Sequence, residues 1–339
     1  KGDRVLLILK CRLEFWHCLL GLHKLGAVAV PATHMLTEHD LAYRFERAGI
    51  RLVVTVPEPV LEDAIERAAA RTPGPPVQMM RLRGDRPGWL DYAAEIAAAD
   101  GAWTRPADPA DPGNDDTMLI YFSSGTTGQP KGVKVPMLDA ALGQGSDGVT
   151  MLCQLLFGAA EDTMYLSPAP LYHAAPLRFC RAVQRSGGTV VVMEHFDAEQ
   201  YLALVEQYRI TFSQVVPTMF IKMLKLPDDV RAKYDLSSLR TVVHAAAPCP
   251  VAAKRSMIEW WGPVVHEYYA GTEGNGFVYT NSEDWLAHPG TVGKAVLGIL
   301  HIVGEDGDEV PVGEPGTIYF EGSGDAEPFQ YHNDPEKTA

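Results

Sequence analysis

Residues 121–132 have the composition of a loop that wraps a polyphosphate. The segment reads YFSSGTTGQPKG and follows a short apolar run. Glycines let backbone N–H groups converge on an anion, hydroxyls donate hydrogen bonds to phosphate oxygens, and a lysine adds a point charge. The residues of these types are Ser123, Ser124, Gly125, Thr126, Thr127, Gly128 and Lys131. The segment therefore predicts a phosphate-binding loop.

This loop differs from a Walker loop, in which the lysine directly precedes a serine or threonine and a helix follows. Here Pro130 stands before Lys131, and the β-prone residues Val133 and Val135 come after it. We therefore expect the segment to turn a β-hairpin rather than to open a helix.

Three later segments form an ordered set with this loop. They are PLYHA at residues 170–174, AAP at 246–248 and YAGTE at 269–273. The set resembles the motifs of the adenylate-forming superfamily, which includes acyl-CoA synthetases, luciferases and the adenylation domains of peptide synthetases. The sequence departs from that pattern at Ala245, Ala246 and Ala270, where glycines are common in the family.

The resemblance implies a site for ATP and Mg²⁺. Lys131 and the loop hydroxyls would hold the β- and γ-phosphates, Thr272 would bind the α-phosphate, and Tyr269 would stack on adenine. Mg²⁺ favours oxygen ligands, and the implied ligands are Glu273 and Thr126. The other implied nucleotide contacts are Ser123, Ser124, Gly125, Thr127, Gly128, Ala245, Ala246, Ala247, Pro248, Tyr268, Ala270 and Gly271.

The implied reaction activates a carboxylic acid in two steps. The carboxylate attacks the α-phosphorus of ATP to give acyl-AMP and pyrophosphate, and the thiol of coenzyme A then takes the acyl group. Negative charge concentrates on phosphate oxygens in the transition state, so preorganised donors and a metal supply the catalysis. No side-chain nucleophile is required, and we find no nucleophile elbow in the sequence. The catalytic candidates are Thr126, Lys131, Thr272, Glu273 and His173.

His173 has two interpretations. The resemblance implies a gate between the acyl pocket and the thiol, whereas the alternative is a histidine hydrogen-bonded at a helix start. We expect the acyl pocket where the segment after His173 meets the strand ends, as in other α/β sheets. Its candidate walls are Ala174, Ala175, Phe179, Val215, Val216, Pro217, Met219, Gly274, Asn275 and Gly276.

The acid is expected to be fatty or aryl, because we find no basic residue placed to pair a second carboxylate and no aspartate placed to hold an amino group. The sequences of residues 165–170 and 331–338 resemble those of bacterial fatty-acid-CoA ligases. Two other interpretations stay open: a module that binds nucleotide or acyl adenylate without full turnover, and an amino-acid-activating domain that feeds a carrier protein.

Short apolar runs that alternate with helical patterns must position these residues. Nine runs predict buried strands, at residues 5–9, 27–30, 52–56, 119–122, 164–167, 189–193, 212–216, 242–245 and 265–268. Thr37 and Asp197 are predicted to cap helices, the second with Leu202, Val205 and Tyr208 on its apolar face. The fold class is therefore α/β, with mostly parallel sheets covered by helices. From about residue 290 the pattern changes to antiparallel strands, which predict a small β lobe.

We accordingly expect α/β nucleotide- and acyl-binding subdomains over residues 1–289 and the start of the β lobe over 290–339. The resemblance implies that a ribose-binding aspartate and a domain with a catalytic lysine would lie beyond residue 339, so the β lobe is expected to be incomplete.

Composition narrows the possible partners of this 339-residue chain. A net charge of -14 opposes binding to nucleic acid, and no apolar run approaches the length of a membrane span. The five cysteines include no C-x-x-C pair, which is typical of reduced thiols. We expect a cytoplasmic protein whose partners are a small carboxylic acid, ATP and coenzyme A, with a homodimer as a possible assembly.

Overall fold

The computed structural model describes residues 1–105, 107, 111–113, 115–122, 130–134, 147–322 and 329–338. The chain divides into two units. The first consists of Lys1–Gly145, Pro170–Ala174 and Gln330–Ala339, and the second of Ser146–Ala169 and Ala175–Phe329.

In chain order the strands are β1 Arg4–Ile8, β2 Val28–Pro31, β3 Ile50–Thr55, β4 Gln78–Arg81, β5 Leu90–Asp91, β6 Tyr121–Phe122, β7 Gly132–Lys134, β8 Met164–Ser167, β9 Thr189–Val192, β10 Phe212–Val215, β11 Thr241–His244, β12 Val265–Tyr269, β13 Phe277–Thr280, β14 Lys294–Leu297, β15 Ile299–Val303, β16 Thr317–Glu321 and β17 Gln330–Tyr331. The helices are α1 Leu13–Leu25, α2 Glu38–Ala48, α3 Pro59–Arg71, α4 Tyr92–Ala98, α5 Gly148–Phe157, α6 Ala174–Arg185, α7 Ala198–Tyr208, α8 Pro217–Leu224, α9 Asp228–Arg231, α10 Val251–Trp261, α11 Ser282–Ala287 and α12 Pro335–Thr338.

The first unit contains a parallel sheet in the order β2-β1-β3-β4-β5. β1 and β2 are almost continuously apolar, as expected for parallel strands that are covered on both faces, whereas β4 and β5 contain polar residues and are half-buried or exposed. Thr37 caps the start of α2, and its side chain forms a capping box with Asp40. The helix buries Leu41 and Phe45 in the core of this sheet. A separate antiparallel sheet in the order β17-β7-β6 lies in the same unit.

The second unit contains a seven-stranded sheet in the order β14-β13-β12-β11-β10-β8-β9. Five neighbouring strands, from β9 to β12, run parallel, and β13 and β14 continue the sheet antiparallel. The hairpin of β15 and β16 is antiparallel, with Ile299 opposite Glu321. The predicted α/β class, with mostly parallel sheets and small antiparallel strands near the end of the sequence, is therefore confirmed.

Local expectations failed where pairing or packing decides the structure. The run at 119–122 forms a strand only at Tyr121–Phe122, while Leu119 makes a single bridge to Ala29. Asp197 caps α7 as predicted, but Tyr208 is 41 % exposed, and Tyr201 takes the buried position in its place. β4, β5, β13, β14 and β17, which have two to four residues each, were not predicted.

None of the five cysteines is in a disulfide, and Cys11, Cys153 and Cys180 are buried. Burial raises the pKa of Cys18 and of Cys249 to about 11. Among the helices that the structure describes, none combines the length and the apolar composition that a bilayer crossing requires.

Candidate active site

The predicted phosphate loop connects β6 to β7. Its residues Ser123, Ser124, Gly125, Thr126, Thr127 and Gly128 lie outside the described residues. The two strands that flank it pair antiparallel, with Phe122 opposite Gly132. The predicted hairpin is therefore confirmed at its base.

Helix α2 holds both ends of this hairpin base. The Tyr43 hydroxyl donates a 2.9 Å hydrogen bond to the Pro130 carbonyl, and the Arg44 guanidinium lies 5.1 Å from the centroid of the Phe122 ring. Gly132 allows the side chain of Ile120 to pack closely against the backbone of β7, since a methyl group on Gly132 would lie 2.9 Å from Ile120 Cγ2. The start and the end of the loop are thus fixed to one helix.

Lys131 lies on a neighbouring aromatic ring. Its ammonium is 4.7 Å from the centroid of Tyr331, which belongs to β17 and pairs with Val133 of β7. A cation over a ring face is attracted by the ring quadrupole. The sequence did not predict this contact, because the two residues are 200 positions apart in the chain.

The predicted adenine turn follows β11. Ala245 is buried, whereas Ala246, Ala247 and Pro248 are exposed. Ala246 has a φ of 75°, in the left-handed region that favours glycine. This backbone conformation is a physical reason why glycine is common at this position of the family.

The two neighbouring tyrosines at the end of β12 have different surroundings. Tyr268 is buried in a stack of rings, 5.8 Å from Phe179 and 4.9 Å from Phe277 between centroids. Tyr269 is 42 % exposed and stacks against Phe320 at 6.4 Å. Alternate residues of a strand face opposite sides of its sheet, so Tyr269 is the tyrosine with a ring that a base can reach.

The segment after β12 brings several polar groups together. A methyl group at Gly271 would lie 3.0 Å from Glu273 Oε2 and 3.4 Å from Asn275 Oδ1, so these two oxygens converge on one point. Arg178 of α6 donates a 3.1 Å hydrogen bond to the Thr272 carbonyl. Ala270, Gly271 and Gly274 are exposed around these groups. Arg178 was missed by the sequence reasoning, since nothing in the sequence indicates which element packs beside residue 272.

Mg²⁺ fits these donors. Two converging side-chain oxygens are a partial ligand set for a cation that usually takes one or two carboxylates and completes its shell with water and substrate phosphates. Within the described part of the chain, no group of three or more His, Cys, Asp or Glu side chains could hold a metal alone.

His173 ends a turn immediately before α6. Its backbone N–H donates to the Pro170 carbonyl at 3.2 Å, and its ring lies 4.6 Å from the ring of Tyr172. The next two residues, Ala174 and Ala175, begin the helix and are half-buried.

The candidate walls of the acyl pocket fall into three groups. Val215 and Met219 belong to the core between the large sheet and its helices, with Val216 packed against it and Pro217 starting α8. Phe179 belongs to the ring stack of Tyr268. Gly276 is covered by the ring of Phe320, while Gly274 and Asn275 are exposed. The described contacts therefore do not bring all ten residues around one point.

Three charged or titratable groups of the second unit were missed. Lys254, Glu267 and His244 form a buried cluster, with Lys254 Nζ 2.6 Å from Glu267 Oε2. Burial and the charge of Lys254 lower the pKa of His244 to about 3. A signal was present for Lys254, which shares helical spacing with the buried residues Met257 and Ile258.

The chain is similar to known proteins in sequence and in fold. The model of the family described as AMP-binding enzyme matches residues 1–327. The chain is 32 % identical to 4-coumarate–CoA ligase 5 of Oryza sativa over 73 % of this chain and 43 % of that protein. It is 28 % identical to the long-chain-fatty-acid–CoA ligase FadD13 of Mycobacterium tuberculosis over 100 % of this chain and 63 % of that protein.

A solved structure, ATP-bound MatB from Rhodopseudomonas palustris, superposes with a TM-score of 0.77 at 26 % identity, over 99 % of this chain and 63 % of that one. The chain thus spans about 40 to 60 % of the length of these curated relatives. With the family match over most of its length, the ordered motifs and the shared fold, the chain belongs to the AMP-binding enzyme family, the adenylate-forming superfamily whose members similar to it include acyl-CoA ligases.

Proposed function

We propose that the chain carries the nucleotide- and acyl-binding part of an AMP-forming acid–CoA ligase. In the first step a carboxylate oxygen bonds to the α-phosphorus of ATP, and the bond to pyrophosphate breaks. In the second step the sulfur of coenzyme A bonds to the acyl carbon, and AMP leaves. The same phosphorus–oxygen chemistry applies to any carboxylic acid. The residues near the phosphates therefore determine the type of reaction, and the acyl pocket determines which acid is used.

The observation that carries this proposal is the end of β12. There an exposed aromatic ring, Tyr269, is followed within four residues by the hydroxyl of Thr272 and the carboxylate of Glu273. A ring for the base, a donor for the α-phosphate and an acid for a cation stand in the order in which a nucleotide presents these groups. The match to the AMP-binding family supports the same assignment.

The residues of this chain have separate tasks in the proposed step. Lys131 adds positive charge to the leaving phosphates, and the Thr272 hydroxyl donates to the α-phosphate. Arg178 holds the Thr272 carbonyl and so fixes the backbone that presents the hydroxyl. Mg²⁺, held by Glu273 with Thr126, would neutralise charge on the phosphate oxygens when it is bound. We also propose His173 as the gate to the thiol, with hydrogen bonding at the helix start as the alternative.

We propose a fatty or aryl acid as the substrate class. The wall candidates Phe179, Val215 and Met219 are apolar, and moving an apolar acyl chain from water to apolar side chains is favourable. The relatives point in the same direction, since one is named for 4-coumarate and the other for long-chain fatty acids.

Carboxylate-dependent exchange of labelled pyrophosphate into ATP tests the proposal. We expect exchange with fatty or aryl acids and not with amino acids. Exchange with no acid, together with tight binding of an acyl-adenylate analogue, would instead support a binding module. Exchange confined to amino acids would support a domain that feeds a carrier protein.

Three further expectations remain predictions: a division of the chain near residue 290, a cytoplasmic location and a homodimer. Limited proteolysis, cell fractionation and light scattering, respectively, measure them.

A further inference from the structure

Two opposite charges are buried together in the second unit. Lys254 of α10 is 0 % exposed and Glu267 of β12 is 6 % exposed, and Lys254 Nζ lies 2.6 Å from Glu267 Oε2. The same ammonium is 4.9 Å from the centroid of the Trp285 ring. Lysine and glutamate are seldom buried to this extent unless they are paired.

Stability alone is a poor reason for such a pair. Removing two charges from water costs as much as their attraction returns, and apolar residues of similar volume often do equally well. The neighbours of Lys254 on the buried face of α10, Met257 and Ile258, show that apolar side chains fit there. The pair therefore calls for a role other than stabilising the core.

The pair joins the elements on both sides of the predicted adenine turn. Glu267 lies opposite His244 in the register of β11 and β12, and the turn starts at the next residue, Ala245. Lys254 lies in the first turn of α10, which begins at Val251, three residues after the turn ends at Pro248. One ion pair thus links the helix that follows the turn to the strand beside it.

The same pair is close to the predicted adenine ring partner. Glu267 precedes Tyr269 by two residues on β12, so both side chains point to the same side of the strand. His244 Nε2 lies 3.5 Å from Glu267 Oε2, and neither ring nitrogen of His244 has a hydrogen-bond partner among the described residues. His244 is neutral in this surrounding, so Lys254 alone balances the charge of Glu267.

We propose that Lys254 and Glu267 are positioning residues for adenine, which lock the turn at residues 245–248 and Tyr269 into one fixed arrangement. This inference rests on the proposed function, because it assumes that the turn and Tyr269 receive the base. The pair touches no ligand itself, and it acts through the backbone of β11, β12 and α10.

The test replaces both charges by apolar side chains of similar volume, Lys254→Met with Glu267→Met. The matched control is the exposed pair Arg240 and Asp162, 3.0 Å apart, changed to Arg240→Met with Asp162→Met. Calorimetric titration measures the affinity for ATP and for inorganic tripolyphosphate, which has the phosphates but no base. Urea unfolding measures the stability of each variant.

We expect the Lys254/Glu267 double variant to stay folded and to bind ATP about tenfold more weakly, with unchanged affinity for tripolyphosphate. The control pair should change neither affinity. Equal binding of ATP by the double variant and the native chain would overturn the inference, as would an equal loss for both ligands. If the native chain itself binds no ATP, the proposed function is overturned first.

Glu267→Asp keeps the inference testable if the double variant does not fold. It retains both charges but withdraws the carboxylate by one methylene, so we expect ATP binding to weaken by about threefold without a change for tripolyphosphate. Unchanged ATP affinity in this variant would contradict a positioning role.

Discussion

The hairpin of β6 and β7 and the seam between β11 and β12 hold their candidate nucleotide motifs by different means. The hairpin has strands of two and three residues and is fixed by side chains from α2 and β17. The seam lies inside a seven-stranded sheet and contains a buried ion pair. Each side-chain contact at the hairpin can be removed by one substitution without leaving a buried charge. Removing one partner of the buried ion pair leaves the other charge buried and unpaired, which costs much more free energy. The two regions should therefore respond differently to substitution.

The largest effect is expected from Glu267→Gln in the seam. It leaves the ammonium of Lys254 buried without its partner, which should lower the free energy of unfolding by about 3 kcal/mol. Urea denaturation measures this loss. Asp162→Asn, which breaks the exposed pair with Arg240, should cost less than about 1 kcal/mol. Similar losses for the two variants would remove the distinction between a buried and an exposed pair.

Lys131→Ala tests the hairpin, and its effect should fall on activity. If Lys131 faces the leaving phosphates as proposed, loss of its charge should reduce pyrophosphate exchange by about a hundredfold or more. Stability should change little, because Lys131 lies over a ring at the base of a loop rather than in a core. Near-normal exchange in this variant would show that the lysine has no role at the phosphates.

The seam should also give the protein a distinct response to acid. Burial lowers the pKa of His244 from 6.5 to about 3. Between these two pH values, His244 is protonated in the unfolded chain but neutral in the folded chain. Stability is therefore lost as pH falls below 6.5, by about 2 kcal/mol at pH 5. His244→Gln should flatten the curve of unfolding free energy against pH, whereas His195→Gln, at an exposed histidine, should leave it unchanged.

A smaller effect is expected at the hairpin base from Tyr43→Phe. The change removes the hydrogen bond to the Pro130 carbonyl and should cost about 1 kcal/mol of unfolding free energy. Tyr208→Phe, at an exposed tyrosine, is the matched control for loss of a hydroxyl. A cost at Tyr43 no greater than at Tyr208 would argue against α2 as the anchor of the hairpin.

The smallest effect is a gain in unfolding free energy at the predicted adenine turn, residues 245–248. Ala246→Gly relieves a left-handed alanine, and the relief exceeds the extra chain entropy of glycine by about 0.5 kcal/mol. Ala247→Gly should instead lower stability, because Ala247 keeps a negative φ. Thermal unfolding of the two variants, run side by side, gives the sign of each effect. A loss at both positions would contradict relief of strain at Ala246.

The sequence predicted what depends on neighbours in the chain. Apolar runs located the parallel strands other than β4 and β5, Thr37 and Asp197 marked helix starts, and Pro130 with the β-prone residues after it indicated a hairpin. It did not predict contacts that depend on register or on distant packing. Lys254 meets Glu267 only because α10 lies on β12, and Lys131 meets Tyr331 only because β17 pairs with β7. The roles of the site residues stay predictions until variants are measured.

The state of the cysteines makes the chain suitable for site-directed labelling. With a pKa of about 11, the half-buried thiols of Cys18 and Cys249 are ionised in only about one molecule in ten thousand at pH 7, and the other three cysteines are buried. Maleimides react with the thiolate, so the native background should be low. A fluorophore on Ala247→Cys, in the exposed turn, would then show whether adenine binds beside that turn.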